Sequence, residues 1–364
     1  MAWAQSVPFG ARLDLTQSGI ADALDGEHDP ADWAESIPLD RLCRQDLRFQ
    51  ALGEFAEVVA ERYGVDPACV TPTLGASQAI IHSLFALVRP GDHVIVERPT
   101  YEPLHRVPAL LGAEVSRLER RFDESWAAVP ERLAQLLTPR TRAVVLSNLH
   151  NPTGVGIPTT VLESIGEMAA RVGAHVLVDE VYLDFRFDPT GGLDCSPACR
   201  ALDNGVSWSS ATKCFGFSAL RAGWIVTRDP AAQKLIREAA AYMHVYVPLA
   251  TATLGSRVLR DAPRWTARSQ TAAETGLERV QGWLERESRV TWVPPTGGLV
   301  GLIRLPDLLA DAAFCAHLRE RYDTQVTPGS FFEAPGCVRL AFAGDPERLE
   351  EGLANFSAAL DDLT

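Results

Sequence analysis

Between about residues 70 and 227 the chain alternates short β-rich runs with helical patterns, and this alternation leaves few folds open. Runs rich in β-branched residues fall at 70–73, 93–97, 114–118, 142–147, 175–179, 206–210 and 223–227. Helical periodicity fills many of the gaps, at 77–88, 103–111, 130–137 and 160–171. Strands that read as apolar runs with helices between them form a mostly parallel sheet covered by helices on both faces. In such sheets chemistry collects where strands end and the following loops begin.

The flanks read differently. Residues 13–16 are a short extended candidate, and a helix is expected after Pro38, through Leu39, Leu42, Leu47, Phe55, Val58 and Val59 to Gly64 as a stop. Thr160 with Glu163 has the form of a capping box, and Gly112 and Gly173 fall where helix C-caps belong. After Pro248 one long helical region, 250–287, precedes strands near 290–293, 299–305 and 338–342 and helices near 308–320 and 346–361. The expected fold class is α/β: a large domain over 46–250, with a smaller α+β domain over 251–364.

The 364 residues carry 47 acidic against 34 basic side chains, a net charge of −13. That balance argues against nucleic acid or an anionic membrane as partner, since both reward clustered Lys and Arg. No apolar run approaches the roughly 18–20 residues of a spanning helix. The first residues lack the basic and apolar regions of a secretory signal. Seven scattered cysteines fit reduced thiols in a cytoplasmic protein. Cys195 and Cys199 form the one close pair, and without two further ligands at matching spacing no metal site is expected.

Three stretches carry the chemistry. Lys213 lies in a run of small and apolar residues, Ser209-Ser210-Ala211-Thr212-Lys213-Cys214-Phe215-Gly216, with Arg221 eight positions later. An ammonium is almost never buried unless it is paired or chemically used. Asp179-Glu180-Val181-Tyr182 closes an apolar run, where an acid is costly to bury. Asn151-Pro152-Thr153-Gly154 follows another strand and is also good turn chemistry. Glu180 is expected to point away from Asp179 if the strand continues.

With these motifs in this order, the chain resembles the fold-type I pyridoxal-phosphate (PLP) enzymes, specifically the class I/II aminotransferase family. The resemblance runs from about Leu13 to the C-terminus. It implies PLP as cofactor, Lys213 as the Schiff-base lysine, Ser210 and Arg221 as phosphate ligands, and Asp179 as the partner of the ring nitrogen. By the same resemblance Tyr182 and Asn151 share the cofactor's phenolate oxygen, and Asn151 helps fix the substrate carboxylate. Ala76, Ser77 and Gln78 open a helix after Gly75 and match the family's phosphate cup. Tyr101 matches the aromatic that stacks on the pyridine ring. Arg339 matches the arginine that grips the substrate α-carboxylate, two parallel N–H donors fitting a carboxylate fork. Gly19 falls on the substrate side.

The family's small domain joins an N-terminal segment, here residues 1–45, to the C-terminal part. Its members act on amino-acid and keto-acid substrates as homodimers with shared active sites. Two departures stand out. Arg48 or Phe49 replaces a tyrosine that faces the partner subunit's phosphate in many relatives, and Thr212 stands where serine is common. No arginine is assignable to a dicarboxylate pocket. Transamination is the leading expectation. The same scaffold also runs C–S lyase or β-elimination, cyclisation, decarboxylation and oxidative deamination.

Overall fold

The computed structural model describes residues 11–20, 44–185, 187, 194–307 and 309–363. Strands are numbered β1 (Leu13–Asp14), β2 (Val70–Leu74), β3 (His93–Arg98), β4 (Glu114–Glu119), β5 (Thr141–Ser147), β6 (His175–Asp179), β7 (Gly205–Ser210), β8 (Ala222–Thr227), β9 (Thr291–Trp292), β10 (Val300–Arg304), β11 (Thr324–Gln325), β12 (Thr327–Pro328) and β13 (Cys337–Ala341). Seven of them form one sheet in the order β2-β8-β7-β6-β5-β3-β4.

Alternate residues of the central strands feed two separate cores, as the period of two requires. Val94, Val145, Leu177 and Trp208 pack with Ile80, Leu84 and Ile236 on one face. Ile95, Val144, Val176 and Val178 pack with Leu162 and Ile165 on the other. Each fully buried Val or Ile contributes roughly 1.5–3 kcal/mol, so a few of them offset a desolvated carboxylate at a strand end.

The parallel expectation holds for β4, β3, β5, β6 and β7, but β8 runs antiparallel to both β7 and β2. The reversal brings the start of β8 to the edge where the other strands end. Register then places Ser147 beside Asp179, Ser210 beside Gly223 and Leu74 beside Ala222. Three separate motifs thus meet at one edge.

A four-stranded sheet, β12-β13-β10-β9, holds Arg339 in β13, and β1 pairs in parallel with β11. Helix Arg48–Tyr63 ends at Gly64 in the left-handed region, as expected. Leu39 and Leu42 lie outside the described residues. The long region after Pro248 is two helices, Leu249–Arg260 and Ala262–Leu284. Pro263 sits in the first turn of the second, where its missing N–H costs nothing but also cannot continue the first. The capping box at Thr160 does not form: Pro158 is the N-cap, and no side chain caps this helix. Thr159, one residue earlier, instead donates to Asp194 O and accepts from Ser196 N. Among the described residues no helix is long and apolar enough to cross a membrane.

Candidate active site

At the shared strand edge lies a cavity of about 380 Å³ whose lining includes Ala76, Ser77, Tyr101, Asn151, Asp179, Tyr182, Ser210, Lys213, Arg221 and Arg339. Lys213 follows β7 on an irregular turn, so no helix or ladder bond holds its side chain. Burial, then Arg339, lowers its amine to about 8, against the pull of Asp179. Nζ donates to Ser18 Oγ at 2.7 Å.

Asp179 ends β6 and accepts from Val181 N at 3.3 Å. Burial raises its carboxyl to about 6 in spite of Lys213. Tyr182 donates its O–H to Ser18 O at 2.6 Å, and burial pushes its pKa upward. Arg339 reaches across from β13: Nη1 donates to Asn151 Oδ1 at 3.2 Å, Nη2 to Thr16 O at 2.9 Å. Its buried Nε has no hydrogen-bond partner among the described residues. Tyr101 hydrogen-bonds Ser77, and burial raises its phenol.

Gly75 closes β2 at φ +80 and bares the start of helix Ala76–Leu87. A Cβ there would come within 2.5 Å of Arg221 Nη2, so the guanidinium lies directly over this backbone. A glycine followed by small residues, bare helical N–H groups and an arginine form an anion cradle.

Two expected site residues are placed differently. Gln78 is absent from the described cavity lining, and its Oε1 instead accepts from Leu74 N at 2.6 Å. Gly19 lines an adjoining cavity and lies against the Lys213 stem. Glu180 does turn away from Asp179, accepting from Ala198 N and Ser207 Oγ. Its Oε2 is buried without a partner among the described residues.

Burial raises Glu180 from 4.5 to about 8. The folded chain thus retains a proton that the unfolded chain releases above about pH 4.5. Stability is expected to fall as pH climbs from there towards about 8, by up to about 1.4 kcal/mol per unit. Glu180→Gln removes that slope, so urea melts from pH 5 to 8 should show the variant gaining steadily on the parent. Parallel pH dependences would refute the assignment.

Sequence reasoning missed the layer beneath Asn151. Glu97 and Arg120 are paired at 3.0 Å with both side chains fully buried. Glu97 Oε1 also accepts from Ser147 N and Oγ, and Ser147 Oγ accepts from Asn151 N at 3.3 Å. His150 is held neutral by burial. Its Nε2 faces Pro99 O, so that nitrogen carries the hydrogen and Nδ1 accepts from Thr153 Oγ1. Glu97 ends an apolar run as Asp179 does, so the signal was available.

The residues present fit PLP. The cradle suits its phosphate, the half-buried Lys213 amine its aldehyde carbon, and the buried Asp179 carboxyl a protonated ring nitrogen. A model of the aminotransferase class I and II family matches residues 18–356, and the chain belongs to that family. It is an aminotransferase-type PLP-dependent enzyme. It is 29% identical over 319 residues to the probable aspartate/prephenate aminotransferase of Thermus aquaticus, covering 84% of this chain and 81% of that one. It is 28% identical over 366 residues to the capreomycidine synthase of Streptomyces vinaceus, covering 98% and 92%. Among solved structures, the PLP-dependent cyclase OrfR superposes with a TM-score of 0.86 at 27% identity, covering 100% of this chain and 96% of that one.

Proposed function

We propose that the chain moves the amino group of an amino acid to a 2-keto acid, with Lys213 as the amine that holds PLP and relays the proton. The observation that carries this reading is one half-buried lysine sharing a cavity with a buried aspartate and a buried, partly unpartnered arginine. PLP, when bound, supplies an aldehyde carbon that condenses with amines and a ring that takes up the electron pair left at Cα.

The protein's part follows from the side chains. The Gly75–Ser77 backbone, Ser210 and Arg221 would hold the cofactor's phosphate, and Tyr101 would offer its ring an aromatic face. Asp179 holds a proton at the ring nitrogen by charge pairing. With PLP bound, the Tyr182 O–H, given to Ser18 O in the chain by itself, would be available to the phenolate oxygen together with Asn151. Arg339 would grip the substrate α-carboxylate and so orient the bonds at Cα. A lysine lowered to about 8 is neutral in a useful fraction near neutral pH, as a base must be. Lys213, Arg221 and Arg339 are the cations among the described lining residues. With those tasks assigned, none of these three is left for a second substrate carboxylate.

The test is a screen of amino donors against keto acceptors that also reports pyruvate, ammonia and sulfide. Matched keto-acid formation that requires an acceptor supports transamination; ammonia without acceptor dependence overturns it. Cyclisation is the second reading. It is favoured by one observation: in sequence, capreomycidine synthase matches 98% of this chain and the Thermus aquaticus aminotransferase 84%. A product that keeps its nitrogen and needs no acceptor would select that reading.

The domain division at 45 and 250 is part of the same proposal, supported by the four-stranded sheet lying wholly beyond 250 and by β1 pairing with β11. A cytoplasmic location rests on the cysteine usage. We also propose a homodimer with shared sites. Phe49, Tyr242 and Val245 are 73%, 87% and 71% exposed. Arg48 stacks between Phe49 and Tyr246, 4.4 Å from each ring centre. Two exposed aromatics, Phe49 and Tyr246, around one arginine suit burial against a second copy. Mixing Lys213→Ala with Arg48→Ala under subunit exchange is expected to restore some activity, because one heterodimer site is intact. An active monomer in sedimentation at assay concentration would refute sharing.

A further inference from the structure

Ser18 meets two polar atoms of the site at once. Its Oγ accepts from Lys213 Nζ at 2.7 Å, and its carbonyl oxygen accepts from Tyr182 O–H at 2.6 Å. The segment carrying it is tied down on every side. β1 pairs with Thr324 and Gln325, Arg339 Nη2 donates to Thr16 O, and Ile20 N donates to Lys213 O at 3.2 Å. The Asp14 carboxylate closes the turn between, accepting from Thr16 N and Oγ1 and from Gln17 Nε2. The hydroxyl is therefore placed by backbone bonds that do not depend on it.

A lysine amine rides on a flexible four-carbon stem. A base works only when its lone pair reaches the proton with hydrogen-bond geometry. Gly19 lies against that stem, a Cβ there standing 3.5 Å from Lys213 Cδ, which limits the stem but leaves rotation about the last bond free. We propose that Ser18 is a positioning residue for Lys213: its hydroxyl oxygen takes one N–H of the amine and fixes where the rest of Nζ points while the lysine relays protons. The proposal rests on the reading of Lys213 as the site amine.

The direction of the effect follows from donor and acceptor. An oxygen that accepts from Nζ favours the ammonium, which has three hydrogens to give, over the amine. The other groups facing Nζ are Asp179, which favours the ammonium, and Arg339 and Arg221, which oppose it, with Cys214 a minor member. Ser18→Ala changes none of these and keeps the carbonyl that holds Tyr182. Removing the hydroxyl therefore lowers the pKa of the amine further.

The experiment compares the full chain, Ser18→Ala and Ser18→Thr. In the cofactor-free form, trinitrobenzenesulfonate labelling of Lys213, located by peptide mapping, gives the pH midpoint of the amine. Ser18→Ala is expected to move that midpoint down by about one unit, a roughly tenfold change in neutral amine at a pH well below both midpoints, with Ser18→Thr close to the parent. In the holoenzyme, the single-turnover rate with an amino acid should fall about tenfold in Ser18→Ala, with KM within about twofold. A midpoint unmoved or raised in Ser18→Ala, or a threonine variant that follows the alanine one, overturns the proposal. Borohydride reduction separates it from the reading beneath it. A pyridoxyl group on Lys213 with an unmoved midpoint sinks only the role of Ser18, and a pyridoxyl group on another lysine sinks both.

Discussion

Lys213→Ala is expected to lower turnover by at least about a thousandfold, or about 4 kcal/mol of barrier, while the chain stays folded. Two contributions are lost together. A positioned general base or acid is worth roughly 10²–10⁴ in rate, and the amine that would hold the cofactor's aldehyde carbon is gone. The cradle at Gly75–Ser77 with Arg221, Tyr101 and the Asp179 carboxyl all remain, so phosphate-dependent binding of PLP should survive. Folding should not suffer either. Burial lowers the Lys213 amine to about 8 from 10.5, so below that pH an ammonium is held where water would hold it better. Removing it relieves that cost, against the loss of an apolar stem. A melting temperature of the cofactor-free variant within about 4 °C of the parent, with turnover below a thousandth, is the expected pair of results. Turnover within tenfold of the parent would remove Lys213 from the mechanism. Borohydride mapping of the parent supplies the independent check.

The parts of the site that were legible are those where a charge sits against its surroundings. Asp179 at the end of three buried apolar residues and Lys213 among small ones are hard to explain by packing, and their order along the chain carried the resemblance that gave them roles. The strands were legible because both faces of the sheet are buried, which leaves unbroken apolar runs. The direction of β8 was less so. Only eleven residues, 211–221, join it to β7, too few for a helical crossover of about a dozen residues or more. That length favours an antiparallel return, and the mostly parallel reading overlooked it. Ser18 was not legible at all. It lies in an irregular segment, one of its two contacts is made by a backbone carbonyl, and both partners are more than 160 residues away. Thr160 shows the converse failure. A correct motif two residues too far along the chain finds its helix already begun.

Asp179→Ala is expected to cost about a hundredfold or more in turnover and much less in folding. The reason is reciprocal. In the chain by itself, burial raises the Asp179 carboxyl to about 6, which means the anion lacks a sufficient partner. A cation placed against it lowers that pKa, and the carboxylate raises the pKa of the cation by the same free energy. Two unit charges about 4 Å apart at an effective dielectric of about 20 interact by about 4 kcal/mol, or roughly three pKa units on the ring nitrogen. Without Asp179 the ring nitrogen loses its proton at neutral pH, and with it most of its capacity to take up charge from Cα. Stability responds the other way. Above about pH 6 the folded chain carries a buried carboxylate, so its removal offsets part of the cavity that alanine leaves. Asp179→Asn is the companion variant, since it keeps the shape and the Val181 contact but not the charge. If charge is what matters, Asn and Ala lose activity alike, and the Asn chain melts at or above the parent in the cofactor-free form at pH 7. A loss smaller than about tenfold in Asp179→Asn, or about 1.4 kcal/mol, would mean that another group protonates the ring.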